Sequence, residues 1–370
     1  MDSIMNLNKP SASNTSSIKL TERIIPFTAG DGFQLNLINV QGPNTPTKCP
    51  VLLVHGAGVR ANIFRAPIET GIVEALISEG YDVWMENWRA SIDLKCTEWT
   101  LDQAAVYDHP FAVRKIVEET GVKKIKAIIH CQGSTSFTMS AIAGLVPEVD
   151  TIISNAVSLH PVPPAFSSIK LKYAVPIVSL FTKYLNPHWG VKSKGIVQHA
   201  IVGFVKLFHH ECNNTPCKMV SFSYGSGFPA LWLHENLSDE THNWMKDEFK
   251  NVPLSFFKNM SKYVSKGNLL GLDKLNALPA DFTSEAPKTT ARFIFFTGDK
   301  NLCFLPESQK RSFKYFDNIT PDYHSFHEIK DYSHLDIFMG SNAHKDVFPI
   351  MLNELSINTD KGENHVFNVA

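Results

Sequence analysis

Three observations predict an α/β chain in which a mostly parallel, doubly wound sheet carries an inserted helical cap. Short β-branched runs alternate with helical periodicity up to residue 160, the pattern of strands buried on both faces. The alternation then stops for a helical, aromatic-rich segment over 161–285 and resumes with two late strands. One strand, Ala127-Ile128-Ile129-His130, turns abruptly into a helix at Cys131-Gln132-Gly133-Ser134, a turn that holds an attacking atom out at the end of a sheet.

Residues 1–20 are polar and without periodicity and read as a flexible tail. Arg23–Thr28 and Phe33–Val40 flank Ala29-Gly30-Asp31-Gly32, a hairpin with glycines at its turn. Pro50–Val54 is a short buried strand, followed by a glycine loop and a helix near Ile68–Glu79. Tyr81–Met85 is the next strand, and Leu101–Thr120 a longer helix with apolar residues at 105, 106, 113, 116 and 117. The strand Ile125–His130, a helix over Gln132–Leu145 and the strand Thr151–Val157 complete the first half. His160-Pro161-Val162-Pro163-Pro164 is a linker into the cap. Strands return at Ala291–Thr297 and Ser325–Ile329, before a last helix over Lys345–Leu355. The expected division is a sheet core from 21–160 and 286–360, a cap over 161–285, and a C-terminal tail at 361–370.

Composition excludes several classes of function. Lys and Arg total 35 against 36 Asp and Glu, so no global field favours nucleic acid or an anionic membrane. No apolar run is long enough for stable membrane insertion, and Met1–Ser17 lacks the apolar core of a signal peptide. Six scattered cysteines form no short-spaced disulfide framework, so the expected setting is reducing and cytoplasmic. Composition sets no oligomeric state.

A nucleophile at Cys131 requires a base, a group to orient that base, and donors for a developing oxyanion. Phe295-Phe296-Thr297-Gly298-Asp299 places a carboxylate just past a late strand, and Asp331-Tyr332-Ser333-His334 places a histidine before the last helices. The expected triad is Cys131, His334 and Asp299, with Asp299 fixing the tautomer of His334. Val54-His55-Gly56-Ala57-Gly58 follows a central strand, and its small residues let backbone approach a substrate carbonyl. The N–H groups of Ala57 and Gln132 are the expected oxyanion donors. Ser134 is a rival nucleophile and Asp336 a rival orienter. His55 and His130 read as structural, and Glu86-Asn87-Trp88-Arg89 as either a site contact or a loop anchored by Arg89.

These residues resemble the α/β-hydrolase superfamily over about 25–360, in its cysteine-nucleophile form. The pieces His55-Gly56-Ala57-Gly58-Val59-Arg60, Glu86-Asn87-Trp88-Arg89-Ala90-Ser91 and His130-Cys131-Gln132-Gly133-Ser134 look like hydrolase domains found alone or fused to cholesterol-oxidase-like flavoproteins. The cysteine elbow is also similar to dienelactone hydrolases and, more distantly, polyhydroxyalkanoate synthases. The resemblance implies an esterase, thioesterase or acyltransferase acting on a hydrophobic, lipid-like ester or thioester. A non-catalytic ligand-binding protein with a dead elbow is the alternative from another class. One departure stands at Ile129, where the family usually has glycine. No dinucleotide glycine fingerprint is present, so oxidoreductase activity does not carry over, and no cofactor is expected.

His209, His210, Glu211, Cys212 and Cys217 form a cluster in the cap, open to three readings: zinc, a disulfide, or ordinary packing. Packing is the expectation, with no metal.

Overall fold

The computed structural model describes residues 19–357. The tails expected at 1–20 and 361–370 lie outside the described residues, apart from Lys19 and Leu20.

Ten strands form in chain order. The main sheet takes β1 (Thr21–Thr28), β2 (Gln34–Gln41), β3 (Pro50–Val54), β4 (Asp82–Asn87), β5 (Ile125–His130), β6 (Val149–Asn155), β9 (Arg292–Gly298) and β10 (Ser325–Ile329). The pair β7 (Tyr184–Leu185) and β8 (Val252–Pro253) belongs to the cap. The main sheet runs β1-β2-β4-β3-β5-β6-β9-β10; pairs involving β2 are antiparallel and the other five are parallel. Strand β3 is buried along its whole length because its neighbours pair on both edges and helices cover both faces.

Strand order reverses between β3 and β5. The chain steps outward from β3 to β4, then returns to the other side of β3 as β5. Loops leaving β3 and β5 therefore part to opposite faces and leave a crevice at the carboxyl ends of the strands. The expected oxyanion loop follows β3 and the cysteine turn follows β5, so topology alone brings them side by side.

The helix expected near Ile68–Glu79 is shorter, Ile72–Ser78, and two others are interrupted, each for a local reason. The predicted Leu101–Thr120 helix is continuous but opens into a π-helical segment at Ala104–Asp108. Pro110 has no N–H for the regular ladder, and the wider turn lets buried Asp108 reach Arg89. The predicted Lys345–Leu355 helix breaks at Val347 into Ala343–Asp346 and Phe348–Ser356, with Pro349 in the first turn of the second piece. A further helix, Glu307–Ile319, follows β9.

Between β6 and β9 the chain forms the cap helices, including Ile196–Phe208, Thr215–Tyr224, Asp239–Trp244 and Leu254–Lys266. Arg60 anchors the cap to the β3 loop: its guanidinium donates to both oxygens of buried Glu248 at 2.9 and 2.7 Å. Among the described residues, no helix is long and apolar enough to cross a membrane.

Candidate active site

The turn after β5 is strained where chemistry is expected. Cys131 adopts φ +55°, a left-handed conformation that L-residues avoid. His130 is still extended, and the helix Cys131–Ile142 begins at once, so the thiol is held out from the corner. Two glycines permit this. A Cβ on Gly133 would run into the His55 carbonyl oxygen, and one on Gly56 would lie 2.9 Å from the Cys131 Cβ. Ile129 points into the packed sheet, fully buried, so its bulk does not obstruct the corner. Ser134, the rival nucleophile, is tied at 2.7 Å to Ser154 inside the protein.

His334 reaches the cysteine from the loop after β10. Cys131 Sγ and one ring nitrogen each of His130 and His334 lie within 4.8 Å of one another. Burial opposes the Cys131 thiolate. Hydrogen bonds from Cys303, His334 and the Gln132 N–H, with the His334 charge, outweigh it and hold the thiol well below its ordinary pKa. Gln132 sits in the first helical turn, where its N–H has no intrahelical acceptor. Ala57 is buried in the loop beside it.

The expected orienter is elsewhere. Asp299 accepts the Asp331 N–H at 2.8 Å and the Lys300 ammonium at 2.7 Å, facing the β10 loop rather than the imidazole. The group at His334 Nδ1 is the side chain of Asn301, 3.3 Å away and fully buried. Asn301 Oδ1 accepts the N–H groups of Cys303 at 3.0 Å and Phe304 at 3.1 Å, which turns its Nδ2 toward the ring. Gly298 explains the offset: a Cβ there would strike the Tyr332 and Ser333 carbonyls, so the two loops cross at that residue and Asp299 exits outward. Asp336 does not take the orienter's place. It accepts from Ser333 N–H at 2.8 Å, Leu233 N–H at 3.1 Å and Asn236 Nδ2 at 2.8 Å, clasping the His334 loop to the cap. Burial lifts its pKa to about 6 against those three donors.

His130 packs its ring 4.7 Å from that of His334 and accepts from Asn155 Nδ2 at 2.9 Å. Burial, with the nearby imidazole of His334, holds its pKa well below the ordinary value. His55 is buried and held to about 3 by desolvation. Arg89 anchors its loop by paired hydrogen bonds to Asp108 and Asp31, and does not contact the cysteine.

Three side chains at the site went unread in the sequence. Asn301 carries no carboxylate, the group that usually marks an orienter in sequence, although an amide also orients an imidazole. Cys303 lies beside Cys131 with its sulfur also 3.2 Å from the Tyr224 carbonyl, so its single proton serves one or the other, and burial pushes its own thiol well above its ordinary pKa. The Tyr224 hydroxyl is buried without a hydrogen-bond partner and sits where a Gly58 side chain would be. Neither Cys303 nor Tyr224 carries a motif.

Cys131, Gln132, Tyr224 and Cys303 line a cavity of about 400 Å³. Leu171, Val175, Ile201, Phe204, Phe222 and Phe257 are among the cap residues that form its walls. Trp232 is packed behind the wall, fully buried. The one cation at the cavity, Lys170, donates to the Phe222 carbonyl at 2.6 Å and the Gly225 carbonyl at 2.5 Å, and burial lowers it to about 8. Among the described residues, twelve of the fourteen large exposed apolar side chains fall in the cap, between Phe166 and Phe228.

A mostly parallel sheet with an antiparallel edge, a strained strand-to-helix corner after β5 and a histidine after the last strand define the α/β-hydrolase fold. A lipase in its open form matches with a TM-score of 0.56 over 94% of this chain and 100% of its own, at 12% identity. Sterol esterase 2 of Saccharomyces cerevisiae is 23% identical over 159 residues, 36% of this chain and 30% of that protein. Lipase member K of Homo sapiens is 30% identical over 125 residues, 29% of this chain and 31% of that protein. The chain thus matches less than a third of the length of these relatives. No family model matches.

Proposed function

We propose that the protein hydrolyses esters of a hydrophobic, lipid-like acyl group through a thioester on Cys131. The observation that carries this is the left-handed Cys131 thiol, within reach of His334, lining an apolar cavity. Cys131 attacks the ester carbonyl as a thiolate, with the proton on His334. The N–H groups of Ala57 and Gln132 receive the oxyanion, and the Tyr224 hydroxyl offers a further donor. His334 returns the proton to the departing alkoxide, then activates water against the thioester. Asn301 orients the ring. Its Nδ2 faces the ring Nδ1 as a donor, so it holds the neutral ring and offers the imidazolium no acceptor, and a thiol needs less help from its base than a hydroxyl. The pairing of cysteine with asparagine is therefore chemically consistent.

The yeast relative is named a sterol esterase and the human one a lipase, which supports lipid-like esters as the substrate class. Incubating the protein with p-nitrophenyl esters of graded chain length, and weighing it intact, tests the reading. An acyl adduct on Cys131 supports it, and ester turnover with no adduct and full activity after Cys131 alkylation refutes it. Acyl transfer is a second reading, favoured by the apolar cavity, because a site that excludes water leaves the thioester for another acceptor. Product analysis with a competing alcohol separates the two.

The depressed Cys131 pKa has a measurable consequence. Its thiolate should persist below the ordinary thiol range, so iodoacetamide labelling of Cys131 should change little between pH 8 and pH 6. A free thiol of pKa about 8.5 would slow about tenfold per unit there. Peptide mapping would read both rates, and a tenfold fall per unit at Cys131 would contradict the assignment.

The cavity wall should set chain-length preference. Each buried methylene contributes about 0.8 kcal/mol, so Leu171→Trp, filling the space of two carbons, should shift the long-to-short kcat/KM ratio by about fifteenfold. Acetyl ester turnover should stay within about threefold. An unchanged ratio would place the acyl chain elsewhere.

A further inference from the structure

The cap brings together four side chains that no step of the ester chemistry uses. Cys212 lies in the loop after the helix Ile196–Phe208, and Cys217 in the first turn of the helix Thr215–Tyr224. His234 starts a single 3-10 turn, His234–Asn236, and His242 lies in the helix Asp239–Trp244. One ligand atom from each lies within 4.8 Å of all the others. Cys217 Sγ and His234 Nε2 are 3.4 Å apart, and the two imidazole rings meet edge to face at 4.9 Å.

We propose that Cys212, Cys217, His234 and His242 form a tetrahedral zinc site that braces the cap against the His334 loop. Two thiols and two imidazoles are the donor set of structural zinc, and thiolate ligands select against magnesium and calcium. Zinc bonds of about 2.3 Å to sulfur and 2.0–2.1 Å to nitrogen put neighbouring S and N ligands about 3.6 Å apart. The observed 3.4 Å fits that edge.

Surrounding groups fit as well. All four side chains lack a competing strong partner: Cys212 has only a 3.7 Å contact to the Asn214 carbonyl, and buried His242 Nε2 has no hydrogen bond. The Asn214 side chain accepts the Cys217 N–H at 3.2 Å and donates to the His242 carbonyl at 3.1 Å, fixing two ligand-bearing segments to each other. Of the histidines next to Cys212 in sequence, His209 pairs with Glu211 at 3.1 Å and His210 with the Leu207 carbonyl at 2.8 Å. The partners come from residues 234 and 242 instead, which local spacing cannot reveal.

Position gives the site a role. The segment carrying His234 also grips the candidate base: the Leu231 carbonyl accepts the N–H groups of His334 at 3.2 Å and Leu335 at 2.8 Å. Leu233 N–H and Asn236 Nδ2 both donate to Asp336. Zinc at the four ligands would hold that segment in place without touching substrate.

Metal content tests the inference independently of any activity. Full-length protein purified from zinc-supplemented cells should carry about one zinc per chain through dialysis, by elemental analysis. His242→Ala and His234→Ala, at partly exposed positions that spare both thiols, should each cut retained zinc by at least tenfold while circular dichroism stays native. Cobalt(II) added to stripped protein should give the visible bands and near-ultraviolet sulfur-to-metal charge transfer of a tetrahedral S₂N₂ site. Absence of retained zinc, a Cys212–Cys217 disulfide in non-reduced digests, or zinc retention in both histidine variants equal to that of the parent would overturn it.

Discussion

Cys131→Ala is expected to reduce ester turnover by about 10⁴-fold or more, the scale seen when a nucleophile of a catalytic unit is removed. Folding should be little affected. The thiol occupies a corner beside Gly56, and alanine keeps the Cβ that packs there while leaving the left-handed backbone unchanged. Cys131→Gly supplies the complementary test. It also removes the sulfur, but glycine adopts φ +55° without the cost of about 1–2 kcal/mol borne by other residues. The glycine variant should be inactive and melt no lower than the alanine variant. Cys131→Ser should be weakly active, because a hydroxyl needs a stronger base than an imidazole held by an amide. Substantial turnover by the alanine variant, measured with an activated ester, would end the cysteine mechanism. Inactivity accompanied by a collapsed melting transition in both variants would assign Cys131 to the fold instead.

His334→Ala should cost several orders of magnitude in kcat, with KM for a long-chain ester little changed, because the cavity that binds the chain is built from other residues. The residues behind the histidine divide sharply. Asn301→Ala removes one neutral hydrogen bond, worth about 1 kcal/mol, and should slow turnover about fivefold. Asn301→Asp should go the other way in pH dependence. A carboxylate at Nδ1 stabilises the imidazolium, raises the His334 pKa and moves the alkaline limb of the rate profile to higher pH. Asp299→Asn should remain within about twofold of the parent, since its carboxylate serves Lys300 and the Asp331 N–H. Steady-state kinetics across pH on these four variants would decide the arrangement. A larger loss from Asp299→Asn than from Asn301→Ala would restore the carboxylate as the orienter.

The contrast between Asp299 and Asn301 marks where sequence reading stops. The run Phe295 to Asn301 announces a strand and a loop, and strand β9 lies there. Which of two side chains in the loop faces the histidine depends on how Gly298 crosses the Tyr332 and Ser333 carbonyls, a contact between segments more than thirty residues apart. Residue type alone points to the carboxylate Asp299, whose side chain faces Lys300 and the Asp331 N–H. The helix Glu307–Ile319 gives a weak sequence signal for a different reason: it follows an irregular loop ending at Pro306, and few of its residues are apolar.

What the sequence determined by itself was local. β-branched runs bounded by glycine specify the strands Pro50–Val54 and Ile125–His130 to the residue, because hydrophobic pattern and turn chemistry act over a few positions. The turn at Cys131 is equally local, a strand meeting a helix with Gly133 where no side chain fits. Tertiary structure alone decided the company those residues keep. It set Asn301 rather than Asp299 at His334, brought Cys303 and Tyr224 to Cys131, and gathered His234 and His242 around Cys212 and Cys217. Each of those meetings joins segments whose separation along the chain carries no periodic signal, and only the packing of cap on sheet fixes the few ångströms on which such contacts depend.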